Sequence, residues 1–211
     1  MNILIDEIGR PDQATIGGRR YWLRTDFRIS ILFELLMQDD GLDAREKVRK
    51  GLGLYYPAIP DDLSGAVDTA LWFYRCGKEE TTLQKRMAAR QGKAQVYSFD
   101  HDAGLIYAAF RLAYGIDLQD TVYMHWWKFR VLFNSLPKDC EFMRAMEYRS
   151  IDITDSMSKE QKDFYRKMKR LYALPLPQGE DNRQAAIENA LLNGGDVAGV
   201  LERGCALLER K

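Results

Sequence analysis

Three cysteines in 211 residues, Cys76, Cys140 and Cys205, are too few and too scattered to staple a fold. Their number is odd and none lies in a CxxC pair, so neither a disulfide framework nor a zinc site is expected. Histidine is scarcer still, at two residues. His101 stands between Asp100 and Asp102, but consecutive residues at a helix start point in different directions. Capping and helix-dipole complementarity account for the aspartates without a metal. His125 has no second histidine at i+4, the spacing of a helical zinc pair. Neither histidine has the neighbours of a nucleophile–base system. No GxSxG, Walker-type glycine loop or dinucleotide fingerprint occurs. The expectation is a protein that is not an enzyme and carries no cofactor or metal.

An excess of positive charge is also missing. Lys+Arg and Asp+Glu both number 31, whereas a nucleic-acid binder usually carries a clear basic surplus. No apolar run approaches the roughly 18 residues of a membrane span. The opening MNILIDEIGRPD has no basic n-region and few apolar residues, so it does not read as a signal peptide. The expected setting is a reducing cytoplasm. What the chain does have is 46% hydrophobic and 11% aromatic residues, enough for a real core. Its length suits one domain with room for a small appended subdomain.

Along the chain, 12–16 and 19–23 flank Gly17-Gly18, a pair that supplies the positive φ angles of a two-residue hairpin turn. Such a hairpin must lean on the helices that follow. Thr25 reads as the N-cap of a helix through Gln38, with Phe27, Ile31 and Leu35 as its stripe and Leu32 and Leu36 widening it. A short polar helix over 43–50 precedes Gly51 and Gly53. Tyr55-Tyr56-Pro57 and Pro60 then impose an extended link. Asp61 or Asp62 caps a third helix through Ala66, Ala70, Phe73 and Tyr74, stopped at Cys76-Gly77. Residues 78–96 read as a basic polar linker. Lys85, Arg86, Arg90 and Lys93 would suit an anionic partner, but stacking aromatics are missing before Tyr97, and a solvated linker is the preferred reading.

The stretch 97–149 organises the rest. Asp100 caps a helix with Ala103, Ile106, Tyr107, Phe110, Ala113 and Tyr114 inward, and Gly115 stops it. Thr121 or Asp120 begins another, with Val122, Trp126, Phe129, Phe133 and Leu136 on one stripe and Trp127, Val131 and Leu132 beside it. A helix so widely apolar is expected to be central. Pro137 suits the first turn of a third helix over 138–148, with Phe142, Ala145 and Met146 inward. Successive helical residues lie about 100° apart, so Trp126 and Trp127 face differently. Either both pack in the core, or one lines a groove that accepts an apolar helix. Trp126, Trp127, Phe129 and Arg130 are therefore the candidate partner-binding residues, with Lys85, Arg86, Arg90 and Lys93 as candidate anionic contacts.

IYAAFRLAYGIDL, then HWWKF with LFNSL, then MEYRSIDI, follow one another in this stretch. With TDFR at 25–28, WFYRCGK at 72–78 and KRLYAL at 169–174, their order and spacing resemble the bacteriophage gene-product-fifteen family over about residues 1–175. Members are encoded in tailed phages and prophages near the gene for the tail tape-measure protein. The resemblance implies a role in tail morphogenesis, as an assembly chaperone in the host bacterial cytoplasm. The implied partners are the tape-measure protein and tail-tube subunits. The alternative it leaves is a structural component of the finished tail or its connector. It brings no catalytic residues.

Beyond it, Ser158 and Gln161 form a capping box before Phe164, Met168, Leu171 and Tyr172, and Pro175 and Pro177 end that helix. Residues 176–211 carry two short amphipathic patterns: Ala186, Ile187, Ala190 and Leu191, then Val197, Val200, Leu201, Leu207 and Leu208. They read as a helical hairpin or appendage. Eight methionines and eleven tyrosines could line adaptable grooves. The expected fold is mainly α, a multi-helix bundle with a small N-terminal β-hairpin and a helical C-terminal appendage. Its divisions fall at 1–77, 78–96, 97–175 and 176–211.

Overall fold

A computed structural model describes residues 11–78 and 95–175 of the chain. The chain divides into two compact units, Met1–Tyr172 and Ala173–Lys211. The expected C-terminal appendage and the basic cluster of the linker lie outside the described residues. The fold of the first unit is mainly α: one hairpin, β1 (Gln13–Ile16) and β2 (Arg19–Trp22), and seven helices among the described residues. These are α1 (Phe27–Gln38), α2 (Ala44–Tyr55), α3 (Leu63–Tyr74), α4 (Ala103–Tyr114), α5 (Trp126–Asn134), α6 (Glu141–Ser150) and α7 (Lys159–Leu171).

The hairpin forms where the glycine pair places it. Gly17 and Gly18 sit at φ +56° and +79°, and Gln13 pairs with Trp22 and Ile16 with Arg19. It does lean on helices. Ile16 and Leu23 are buried, and β1 rests on α3. Arg24 then reaches the end of α2, donating to the carbonyls of Gly53 at 2.7 Å, Leu54 at 3.2 Å and Tyr56 at 3.3 Å. A cation on the last carbonyls of a helix satisfies orphan acceptors and complements the dipole.

Several boundaries differ from the sequence reading, each for a local reason. The N-cap of α1 is Asp26, whose carboxylate accepts the Arg28 N–H at 3.0 Å, and Thr25 is buried instead. The buried face of α1 is Phe27, Ser30 and Phe33, while Leu32 is exposed. Helix α2 does not stop before its glycines but runs through both to Tyr55. Glycine usually weakens a helix interior, yet a Cβ on Gly51 would lie 3.0 Å from the Phe33 ring. The missing side chain lets α1 and α2 approach. Helix α5 begins at Trp126 rather than near Thr121, and Val122 is almost fully exposed. Helix α6 begins at Glu141, four residues after Pro137, which instead opens a turn closed by the Cys140 N–H on its carbonyl at 3.2 Å. In α4 the buried set is Ile106, Ala109 and Phe110, with Ala103 exposed.

Other expectations hold. Asp62 caps α3, Gly115 ends α4 in the left-handed region at φ +66°, and the Ser158–Gln161 capping box starts α7. Helix α1 packs on α2 and α5, α2 on α3, α4 on α6, and α6 on α7. A single cluster of buried side chains spans these elements, from Ile16 to Phe142.

Candidate functional site

The tryptophan pair was the sharpest candidate, and the structure buries it. Trp126, Trp127 and Phe129 are 0%, 4% and 0% exposed. The helix start is built from chain far away in sequence. Residues 25 and 26 run antiparallel to the stretch before α5: Trp126 N–H donates to the Thr25 carbonyl at 2.8 Å, and Phe27 N–H to that of Met124 at 2.9 Å. Thr25 and Tyr123 share a hydroxyl hydrogen bond of 2.7 Å. Arg28 pairs with Asp26 at 3.2 Å and donates to the Leu118 carbonyl at 2.9 Å. These contacts tie the residues just before α5 to 25–28, and the apolar Val122 stays outside the helix. His125 then caps α5, its Nδ1 accepting the Trp127 N–H at 3.1 Å.

Each indole N–H is fastened to the end of α3. Trp126 Nε1 donates to the Tyr74 carbonyl and Trp127 Nε1 to the Phe73 carbonyl, both at 2.8 Å. A buried indole needs such an acceptor, and the last turn of a helix offers spare carbonyls. The rings stack as well, Trp126 on Tyr74 at 5.6 Å and Trp127 on Phe73 at 5.8 Å between centroids. Helix α3 can end there because Cys76 takes φ +58° and Gly77 φ +71°. Gly77 N–H bonds back to the Trp72 carbonyl at 3.0 Å and Cys76 N–H to that of Phe73 at 2.9 Å, a Schellman closure with cysteine in the left-handed place. A Cβ on Gly77 would meet the Trp127 ring at 3.0 Å, so the indole needs that glycine beside it.

Phe129 is the centre of the stack. Phe27, Phe110, Trp126 and Phe133 lie 4.8, 5.1, 5.6 and 5.8 Å from it, ring to ring. Arg130, the fourth candidate, is half-buried on the same side of α5. Its guanidinium covers Trp126 at 5.3 Å and Phe133 at 5.6 Å and donates to the Tyr97 hydroxyl at 3.3 Å. Burial raises the Tyr97 and Tyr74 hydroxyls above the ordinary phenol value, and Glu34, which accepts from Tyr74, adds to both. Burial likewise lifts the Cys76 thiol. These groups stay protonated at neutral pH; the Tyr74 hydroxyl donates to Glu34 and Cys76 Sγ to the Tyr74 carbonyl at 3.9 Å. The exposed side of α5 carries Lys128, Val131 and Asn134, so the tryptophan pair does not present a groove to solvent.

A second junction was missed in the sequence. Asp102 caps α4 by position but makes no capping bond; its carboxylate takes the Arg149 guanidinium in a bidentate pair at 2.7 and 2.8 Å. Both side chains are buried, at 1% and 6% exposure. Arg149 also donates to the Val96 carbonyl at 3.0 Å and to the Tyr172 carbonyl, and Ser98 N–H donates to Asp102 at 3.0 Å. One guanidinium thus joins α4, α6, the 96–98 strap and the end of α7. Burial by itself would raise the Asp102 carboxyl, but Arg149 and the Ser98 N–H hold it below the ordinary carboxylate value. A signal for this pair was present: Arg149 falls seven residues after Phe142 and four after Ala145, on the buried stripe, where a charge needs a partner. Asp100 does not cap α4 as expected; it lies in the turn before the helix, where the Ser98 hydroxyl accepts the Asp100 and His101 N–H groups.

Among the described residues, no three His, Cys, Asp or Glu side chains gather closely enough to hold a metal ion, and no helix is long and apolar enough to cross a membrane. Lys85, Arg86, Arg90 and Lys93 lie outside those residues. The family model described as "Bacteriophage Gp15 protein" matches residues 10–174. The chain belongs to that family. The segments TDFR, WFYRCGK, HWWKF and MEYR contribute residues to the two junctions. No curated protein and no solved structure matches the chain. Membership makes this a phage protein and points to virion structure or morphogenesis as its class of work.

Proposed function

We propose that this Gp15-family protein is a non-enzymatic tail-assembly chaperone, which binds apolar helical segments of the tape-measure protein in the host bacterial cytoplasm and brings tail-tube subunits to them. The family match over residues 10–174 carries the reading, together with the tape-measure gene beside which members of the family are encoded. The geometry agrees in one respect. Every candidate aromatic in the core is packed against other rings, and both indole N–H groups have a carbonyl partner, so work on a client falls to the surface, where Leu112, Leu171 and Phe164 remain exposed. Binding a long, partly folded client needs such shallow apolar contacts rather than a reactive pocket.

Co-expression with the tape-measure protein of the same phage is the direct test. The expected result is a soluble client that co-purifies with the chain. A client equally soluble alone, with nothing co-purifying, would remove the basis of the reading. Mass spectrometry of purified virions checks the assignment from the other side: a chaperone should be absent, and a fixed copy number would mark a structural component of the tail or connector.

A further inference from the structure

We infer that the exposed edge of α7 is the docking site, and that it takes an amphipathic helix with an acidic flank. The inference rests on the chaperone reading and supplies the surface and client chemistry that reading lacks.

Helix α7 stands apart from the other helices. Each of those buries at least two residues, and α7 buries none. It is nonetheless a well-formed helix. The Ser158–Gln161 capping box starts it, and Lys162–Asp155 at 3.3 Å and Arg166–Asp163 at 2.9 Å brace its surface. One side lies on α6, where the Tyr148 ring meets Phe164 at 6.1 Å and Tyr172 at 5.4 Å, and the Tyr172 hydroxyl donates to Glu141. The next side is open: Phe164 is 47% and Leu171 68% exposed, with half-buried Met168 between them. Positions 164, 168 and 171 follow i, i+4, i+7, a ridge that the ridges of a second helix can flank.

Charge selects the kind of helix. The chain as a whole is neutral, but α7 holds six cations against two acids. Asp163 is already paired with Arg166, and Glu160 accepts the Ser158 hydroxyl at 2.8 Å. The last six residues, Arg166 to Leu171, contain four cations and no acid. Lys169 and Arg170 suit the negative end of the helix dipole. That does not account for Lys167 one turn earlier. At about 100° per residue, Lys167 and Arg170 fall about 60° and 120° round from Phe164, on the side away from Tyr165. A positive border therefore runs along the apolar edge, and a client helix with Glu or Asp beside its own apolar stripe would complement both. A membrane surface fits less well, because an interfacial helix buries its whole apolar half, and α7 already has Phe164 and Tyr172 against Tyr148.

The test uses the full chain and a fluorescein-labelled synthetic peptide of about 18 residues, five helical turns, with Leu at i, i+3, i+4, i+7 and Glu flanks. Anisotropy should show saturable binding, lost with an order-scrambled peptide and with a Lys-for-Glu peptide. Phe164→Ser and Leu171→Ser should each weaken binding about tenfold, and Lys167→Glu with Arg170→Glu by about as much, with a flatter salt dependence. Circular dichroism and melting of each variant should match the natural chain. Equal binding of the scrambled peptide, or no response to these substitutions, overturns the inference. So does an edge left unbound because the chain itself or a second copy covers it. Binding to vesicles of anionic lipid that depends on Leu171, without peptide binding, assigns the edge to a membrane and also overturns it. If the tape-measure protein still co-purifies with the Phe164→Ser/Leu171→Ser chain, the surface is wrong and the chaperone reading stands. If nothing co-purifies with the natural chain, that reading fails separately from the peptide result.

Discussion

The α3–α5 junction and helix α7 carry similar side chains and use them in opposite ways. At the junction, Trp126, Trp127, Phe129 and Phe133 are buried, each indole N–H has a carbonyl, and even Arg130 lies over rings. On α7, Leu171 and about half of Phe164 stay exposed beside lysines and arginines. An aromatic-rich sequence therefore marks where this molecule is held together, whereas the sparser amphipathic α7 leaves part of its apolar stripe exposed. Abundance of tryptophan marks buried packing here, with Trp126 and Trp127 at 0% and 4% exposure.

The largest effect should come from emptying the centre of the junction. Phe129→Ala removes a ring packed by five others, and a loss of about 3–5 kcal/mol is expected in denaturant unfolding. Arg149→Ala should be nearly as severe, roughly 3–5 kcal/mol, because it leaves Asp102 charged and buried. Replacing the pair together, as Asp102→Leu with Arg149→Met, should recover part of that loss, since no unpaired charge remains. The same pair predicts a pH dependence. The Asp102 carboxyl is depressed in the fold, so its contribution is complete above the ordinary carboxylate range near about pH 4. It is lost as the pH falls through the lowered value. Urea midpoints measured from neutral to acid pH should show this decline, and the Leu/Met pair should lack that component.

Gly77→Ala comes next, at more than about 1 kcal/mol, because the new Cβ would meet the Trp127 ring in a left-handed backbone. Near-ultraviolet circular dichroism should change with it as the indole shifts. The smallest effects should be on α7, where Leu171→Ser should move stability by no more than about 0.5 kcal/mol while weakening client binding. A large stability loss from Leu171→Ser, or a mild one from Phe129→Ala, would erase the contrast between the regions.

The elements legible in the sequence were those specified by their own residues. Gly17-Gly18, Gly115 and the Ser158–Gln161 box act within a few positions, and each appears as read. The misreadings arose where distant chain decides. Val122 matched the apolar period of α5, but Thr25 and Asp26, about a hundred residues earlier, bond the chain at Met124 and Trp126, and the helix begins only there. Gly51 looked like a stop until Phe33 supplied its reason. The periodicity of α5 announced a central helix correctly, yet it could not say whether one tryptophan faced outward. That depended on the Phe73 and Tyr74 carbonyls at the end of another helix. Conversely, Phe164, Met168 and Leu171 showed an apolar period in the sequence, but the period could not say that Leu171 would be 68% exposed.

Hydrogen exchange of the full chain, alone and with its tape-measure protein, tests the division of labour most directly. Added protection on the amides of α7, with α5 already slow and unchanged, is the predicted result. Protection that appears on α5 instead, or nowhere on α7, would contradict it.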